Sequence, residues 1–156
     1  MEVVQIIQAM LAPGILISAC GLFLLGMNNK YSLVVGRIRT LDEELRKLDT
    51  IADTEKLTPR QQTRYESIKM QVGKFYYRIR LVRNAVVSYS SAVFFFVATC
   101  LGIGLQFAVG ESVWLSVATV TLFLFGLLCL LLGICFAVKE VLKGFEIVGI
   151  EVANEK

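Results

Sequence analysis

Three uninterrupted apolar runs, each free of Asp, Glu, Lys, Arg and His, constrain this 156-residue chain more than anything else in it. They occupy residues 3–27, 85–109 and 113–138. About 20 apolar residues wound as a helix cross a hydrocarbon core of roughly 30 Å, so each run spans with some tilt to spare. Lipid offers the backbone no hydrogen-bond partners, which makes helix the expected conformation. Hydrophobic residues form 56% of the chain, above the roughly 45–50% of soluble domains, and the excess lies in these runs. The expected fold class is an all-α membrane protein. It has three transmembrane helices (1–27, 85–109, 113–138), a cytoplasmic antiparallel coiled-coil hairpin between the first and second (28–84), and a tail at 139–156.

Charge orients the spans. The first run is preceded by Glu2 and followed by bases from Lys30 onward. That is the reverse of a signal peptide, so this span is expected to be retained with its N-terminus outside. Residues 30–83 carry 13 Lys and Arg against 7 Asp and Glu, whereas Gly110-Glu111-Ser112 carries one acid and no base. The positive-inside rule then places the long segment and the C-terminus in the cytoplasm. Trp114 falls at the outer interface, where indole rings are favoured.

The long segment is patterned. Tyr31, Val34, Ile38, Leu41, Leu45 and Leu48 are spaced alternately three and four apart, as are Tyr65, Ile68, Val72, Phe75, Ile79 and Val82. These are the apolar seams of two helices, each marginal alone and able to bury the other. Thr58 with Gln61 reads as a capping box and Pro59 as a first helical residue. The first helix is expected to end near residues 51–53, with residues 53–57 as a polar tip. No breaker other than Gly36 and Gly73 separates the seams from the spans, so each seam helix is expected to continue directly into its span.

Base and acid segregate along this hairpin. Residues 30–39 and 67–84 hold eight bases and no acid; residues 40–66 hold seven acids and five bases. Lys30, Arg37, Arg39, Lys74, Arg78, Arg80 and Arg83 are therefore candidate contacts for anionic lipid headgroups or an acidic partner. Nucleic acid is not an expected partner. In the tail, Val138, Val141, Leu142, Phe145, Val148 and Val152 share a helical face, expected to pack on the hairpin or lie at the membrane surface.

The chemistry of the spans is mild. With no ionisable side chain there is no proton relay, no base to activate a serine and no intramembrane protease site. The absence of histidine and of any C-x-x-C pair leaves no metal site, and Cys20, Cys100, Cys129 and Cys135 read as packing residues. No enzymatic activity, metal or cofactor is expected. Small residues recur four apart at Gly14 and Ser18, Ser88 and Ala92, Ala98 and Gly102, and Gly104 and Ala108, a spacing that lets helices approach closely. Pro13 and Gly14 are expected to loosen the first span. Asn28 and Asn29 at its cytoplasmic end are a candidate pore mouth.

The stretch LAPGILISACGLFLLGMNNKYSLVVGRIRTLDEEL, residues 11–45, resembles a family of small bacterial membrane proteins catalogued as a domain of unknown function. Pro13, Ser18-Ala19-Cys20-Gly21, Asn28-Asn29 and Arg37-Ile38-Arg39-x-Leu41 carry the resemblance, which extends over most of the chain. It implies a bacterial cytoplasmic (inner) membrane and no particular activity. The order span, cytoplasmic coiled coil, two spans also resembles, in architecture alone, the core of the Oxa-type membrane insertases. Their polar groove often holds a basic residue, which these spans lack.

Two functional expectations follow. One is a homo-oligomeric membrane assembly forming a pore or channel, tied by seams and small-residue faces. The other is an insertase-like or chaperone factor, or an accessory subunit of a membrane complex. Membrane lipids are the partner common to both.

Overall fold

The computed structural model describes residues 3–54, 58–110 and 112–154, with side chains described at 3–52, 58–110 and 112–144. It contains three helices: α1 Val3–Thr54, α2 Pro59–Val109 and α3 Val113–Asn154. Each holds a stretch long and apolar enough to cross a membrane. Each also runs on past its apolar stretch. Neither Pro13 inside α1 nor Gly36 and Gly73 break their helices, as the lack of stronger breakers predicts.

The helix ends follow local rules. At the start of α2 the Thr58 backbone N–H donates to Gln61 Oε1 at 2.9 Å, and the Thr58 hydroxyl donates to the same oxygen at 2.7 Å. Gln61 thus reaches back to cap the helix as the motif predicts. After α2, Gly110 takes φ +100° and its N–H reaches the Gln106 carbonyl at 3.0 Å. A left-handed residue satisfies the open carbonyls of a helix end, and glycine alone adopts it without strain. Tip residues 55–57 and Glu111 lie outside the described residues.

The chain forms two compact units: Met1–Asn28 with Asn84–Ala137, and Asn29–Arg83 with Val138–Lys156. In the second, Val34, Leu41, Leu48, Ile68 and Phe75 form a buried core against which Ile38, Leu45, Tyr65, Val72 and Ile79 pack. Ten of the twelve predicted seam residues are in this cluster. Val82 is also fully buried, while Tyr31 is exposed. A bidentate pair joins Arg64 to Glu44 at 2.8 and 3.1 Å, and Lys30 and Arg78 meet on one carboxylate. Lys30 and Glu44 are as far apart in sequence as Arg64 and Arg78, so α1 and α2 run in opposite directions here.

In the first unit Cys20, Ala92 and Phe96 are fully buried, flanked by Leu16, Ile17, Val93, Phe123, Cys129 and Leu130. The rings of Phe23 and Tyr89 stack at 5.3 Å. Gly126 and Gly133 of α3 receive α2 rings: a Cβ there would sit 2.7 Å from Phe96 and 2.6 Å from Tyr89. Outside this core, Leu22, Phe94, Leu101, Leu124 and Leu131 are exposed, a surface suited to hydrocarbon rather than water.

Burial repeats every seven residues along all three helices. On α1 the buried positions are Pro13, Cys20, Met27, Val34, Leu41 and Leu48. On α2 they are Ile68, Phe75, Val82, Tyr89 and Phe96, with a second row at Ala85, Ala92, Thr99 and Gln106; Leu81 is buried outside both rows. On α3 they are Thr119, Gly126, Gly133 and Glu140. A seven-residue repeat holds one stripe of a helix against its neighbours over many turns.

Candidate functional site

Glu140 ends the buried row of α3, two residues beyond its apolar run, and is 1% exposed. A carboxylate is removed from water at great cost unless it is paired. Here both oxygens are engaged: Lys30 Nζ donates to Oε2 at 2.9 Å and Arg78 Nη2 donates to Oε1 at 2.7 Å. Burial pushes the Glu140 carboxyl up, but the hydrogen bonds and charges of Arg78 and Lys30 outweigh it and hold the group below its ordinary value. One carboxylate thus ties α1, α2 and α3 together within the second unit. Gly144, one turn further along α3, leaves room for the guanidinium: a Cβ there would lie 3.1 Å from Arg78 Nη2.

Of the two placements expected for the tail's apolar face, against the hairpin or at the membrane surface, the described residues do not show the first. Val138, Val141 and Leu142 are exposed, while Glu140 is buried. The physical reason is that two cations on α1 and α2 demand a counter-charge, and Gly144 allows the close approach that delivers it. The side chains of Phe145, Val148 and Val152 lie outside the described residues.

The predicted basic residues separate into groups. Lys30 and Arg78 are matched by Glu140, and the Arg78 side chain is 19% exposed. Arg37 and Arg83 are exposed residues that also hold interactions within the chain. Arg39, Lys74 and Arg80 are exposed on their helices. Asn28 and Asn29 are both exposed on α1. Among the described residues no group of three His, Cys, Asp or Glu is placed to hold a metal ion. The four cysteines are free thiols.

Inside the first unit lies a cavity of about 280 Å³, lined from α1 by Ala9, Ala12 and Pro13, from α2 by Thr99, Ile103 and Gln106, and from α3 by Ser116, Thr119, Val120 and Phe123. Ala9, Ala12 and Val120 are exposed, whereas Pro13, Thr99, Gln106 and Thr119 are buried. The cavity therefore opens between α1 and α3, with α2 as its floor. Gln106 Nε2 donates to Thr119 Oγ1 at 3.3 Å, and the Thr119 hydroxyl donates to the Leu115 carbonyl at 2.8 Å. The Thr99 hydroxyl donates to the Phe95 carbonyl at 2.8 Å. The lining carries hydrogen-bonding groups and no charge.

A family model described as a protein of unknown function, DUF2721, matches residues 10–150. The chain belongs to the DUF2721 family. The match takes in all of α2, most of α1 and α3, the three members of the Glu140 cluster and every cavity-lining residue except Ala9. It confirms the resemblance carried by residues 11–45. No curated protein and no solved structure matches this DUF2721 chain.

Sequence reasoning did not single out Glu140, Gly144, Gly126 or Gly133. Glu140 stands among apolar tail residues whose pattern points to another face. Its signal was its place in a seven-residue row with Thr119, Gly126 and Gly133. Of the small-residue pairs predicted to let helices approach, Gly102 does so against Thr119, while Gly14 has open space around it.

Proposed function

We propose that this DUF2721 protein is a non-enzymatic integral membrane protein that serves other membrane proteins, as an insertase-like or chaperone factor or an accessory subunit. The observation that carries this reading is the uncharged polar cavity opening sideways between α1 and α3. It offers hydrogen bonds at a depth where a lone helix in lipid has none. The exposed apolar faces around it give a partner helix a surface to lie on. No ionisable side chain lines the cavity, so the lining favours holding over bond-breaking.

The rest of the chain fits the same reading. The paired α1 and α2 seams act as an antiparallel coiled coil on the cytoplasmic side of a bacterial inner membrane, with the N-terminus outside. The support for this orientation is the excess of bases in residues 30–83. Arg39, Lys74 and Arg80 are exposed and available to anionic headgroups, each worth about 1 kcal/mol near the surface.

A homo-oligomeric pore is the second reading. Exposed Asn28 and Asn29 and the open surface at Gly14 favour it. Against it, the seam residues that would tie copies together are already packed against each other within one chain. The mass of the protein in native nanodiscs separates the two. A single-chain mass, or a complex with a different protein, is the expected result. A discrete ring of identical chains that passes ions in liposomes would overturn the proposal.

A further inference from the structure

We propose that the cavity between α1 and α3 is a binding site for a neutral hydrogen-bond-donating side chain, such as Asn or Ser, carried by a partner transmembrane helix. The inference rests on the reading of this chain as a docking protein and names the chemistry that the docked helix supplies.

Around the cavity two side chains hold a polar atom with no partner among the described residues, and Pro13 removes the usual partner of a third group. Gln106 is 8% exposed and its amide donates to Thr119, yet its Oε1 accepts no hydrogen bond from the described residues. Ser116 lines the same space and its hydroxyl has no partner among the described residues. The third is a backbone group. In a helix the carbonyl of Ala9 would accept from the N–H of residue 13, and Pro13 has none. These groups open to the cavity or the lipid face, and at the depth of a span there is no water to replace a missing partner, so each unpaired amide or carbonyl costs free energy comparable to a lost hydrogen bond. Two of the three are acceptors alone, so the missing partner is a donor.

The lining also says what kind of donor. It carries no carboxylate to balance an ammonium or guanidinium, so a charged group is excluded by its desolvation cost. The rim residues Ala9 and Ala12 are small and exposed, which lets another helix backbone come close enough for a short side chain to reach inward.

The test uses the full-length protein in lipid nanodiscs and a fluorescent Leu/Ala transmembrane peptide bearing one Asn at the depth of Gln106. The same peptide with Leu at that position is the comparison. The Asn peptide is expected to bind about five-fold more tightly, the scale of one interhelical hydrogen bond in lipid. Gln106→Leu combined with Ser116→Ala should reduce that preference to what the Ala9 carbonyl alone supplies, about two-fold or less, while leaving helix content unchanged. Equal binding of both peptides would overturn the side-chain assignment and leave the docking reading standing. So would an Asn preference that survives the double substitution undiminished. Failure of either peptide to bind would remove the docking reading itself.

Discussion

Arg78 and Glu140 are 62 residues apart in sequence and 2.7 Å apart in the structure. Both come from segments that a linear reading treats separately, one as a basic helix facing headgroups and the other as an apolar tail. Their pairing, with Lys30 as the second donor, makes the second unit a three-helix assembly rather than a two-helix hairpin with a loose end.

Glu140→Gln is expected to destabilise that unit by about 3–5 kcal/mol, because it leaves a half-buried arginine without its counter-charge. Thermal unfolding in mild detergent should show the loss. Replacing both partners, Arg78→Met with Glu140→Met, should cost less than either single change, since no buried charge is then left alone. If the double variant is as unstable as the sum of the singles, the two residues do not act as a pair.

The same carboxylate sets an acid limit. Its native pKa is held below the ordinary carboxylate value, so the folded state binds its proton less readily than the unfolded state does. Its contribution is complete above about pH 4.3, the ordinary value for Glu, and fades as pH falls through the lower native value. Unfolding temperature should be flat from neutrality to about pH 5 and decline below it. In the Glu140→Gln variant this part of the decline should disappear. The measurement is a melting series across pH on both proteins.

The exposed ion pair between Arg64 and Glu44 provides the contrast. Its side chains are 50% and 39% exposed. Solvent and salt screen such pairs, and they contribute about 0–1 kcal/mol. Glu44→Gln should therefore leave the melting temperature nearly unchanged. Leu41→Ala, which empties a fully buried seam position in the same unit, should cost about 2–5 kcal/mol. If the order of these two effects were reversed, charge rather than packing would hold α1 to α2.

Legibility in the sequence follows the contrast between neighbouring residues. Val34, Leu41 and Leu48 stand among lysines, arginines and acids, so their seven-residue row shows in the sequence itself. Cys20 and Phe96 sit in equivalent rows, but the residues around them are uncharged and mostly apolar. In a span the outer face meets lipid and the inner face meets protein, and hydrophobicity does not tell the two apart. The polar cavity is hidden for a related reason. Gln106, Ser116 and Thr119 stand out as mild polar residues, but their convergence depends on how α2 and α3 face each other. Pro13 suggests a loosened helix by its residue type. In the structure it is buried within an unbroken helix, and its consequence is that the carbonyl of Ala9 loses its usual donor.

The glycines of α3 give the sharpest test of how the spans pack. A Cβ at Gly133 would lie 2.6 Å from the Tyr89 ring, and one at Gly126 2.7 Å from Phe96. Both rings are almost completely buried, at 1% and 0% exposure, so neither can swing aside as the end of a flexible chain would. Gly133→Ala and Gly126→Ala should each cost about 1–3 kcal/mol through overpacking. Alanine at Gly14, Gly21 or Gly26 on α1 meets nothing within 4 Å. Those changes should be neutral or stabilising by up to about 1 kcal/mol, because alanine restricts the unfolded chain without a clash. Melting temperatures of the five single variants in one detergent would decide the matter. Equal effects at all five positions would mean that α3 does not meet α2 through Gly126 and Gly133.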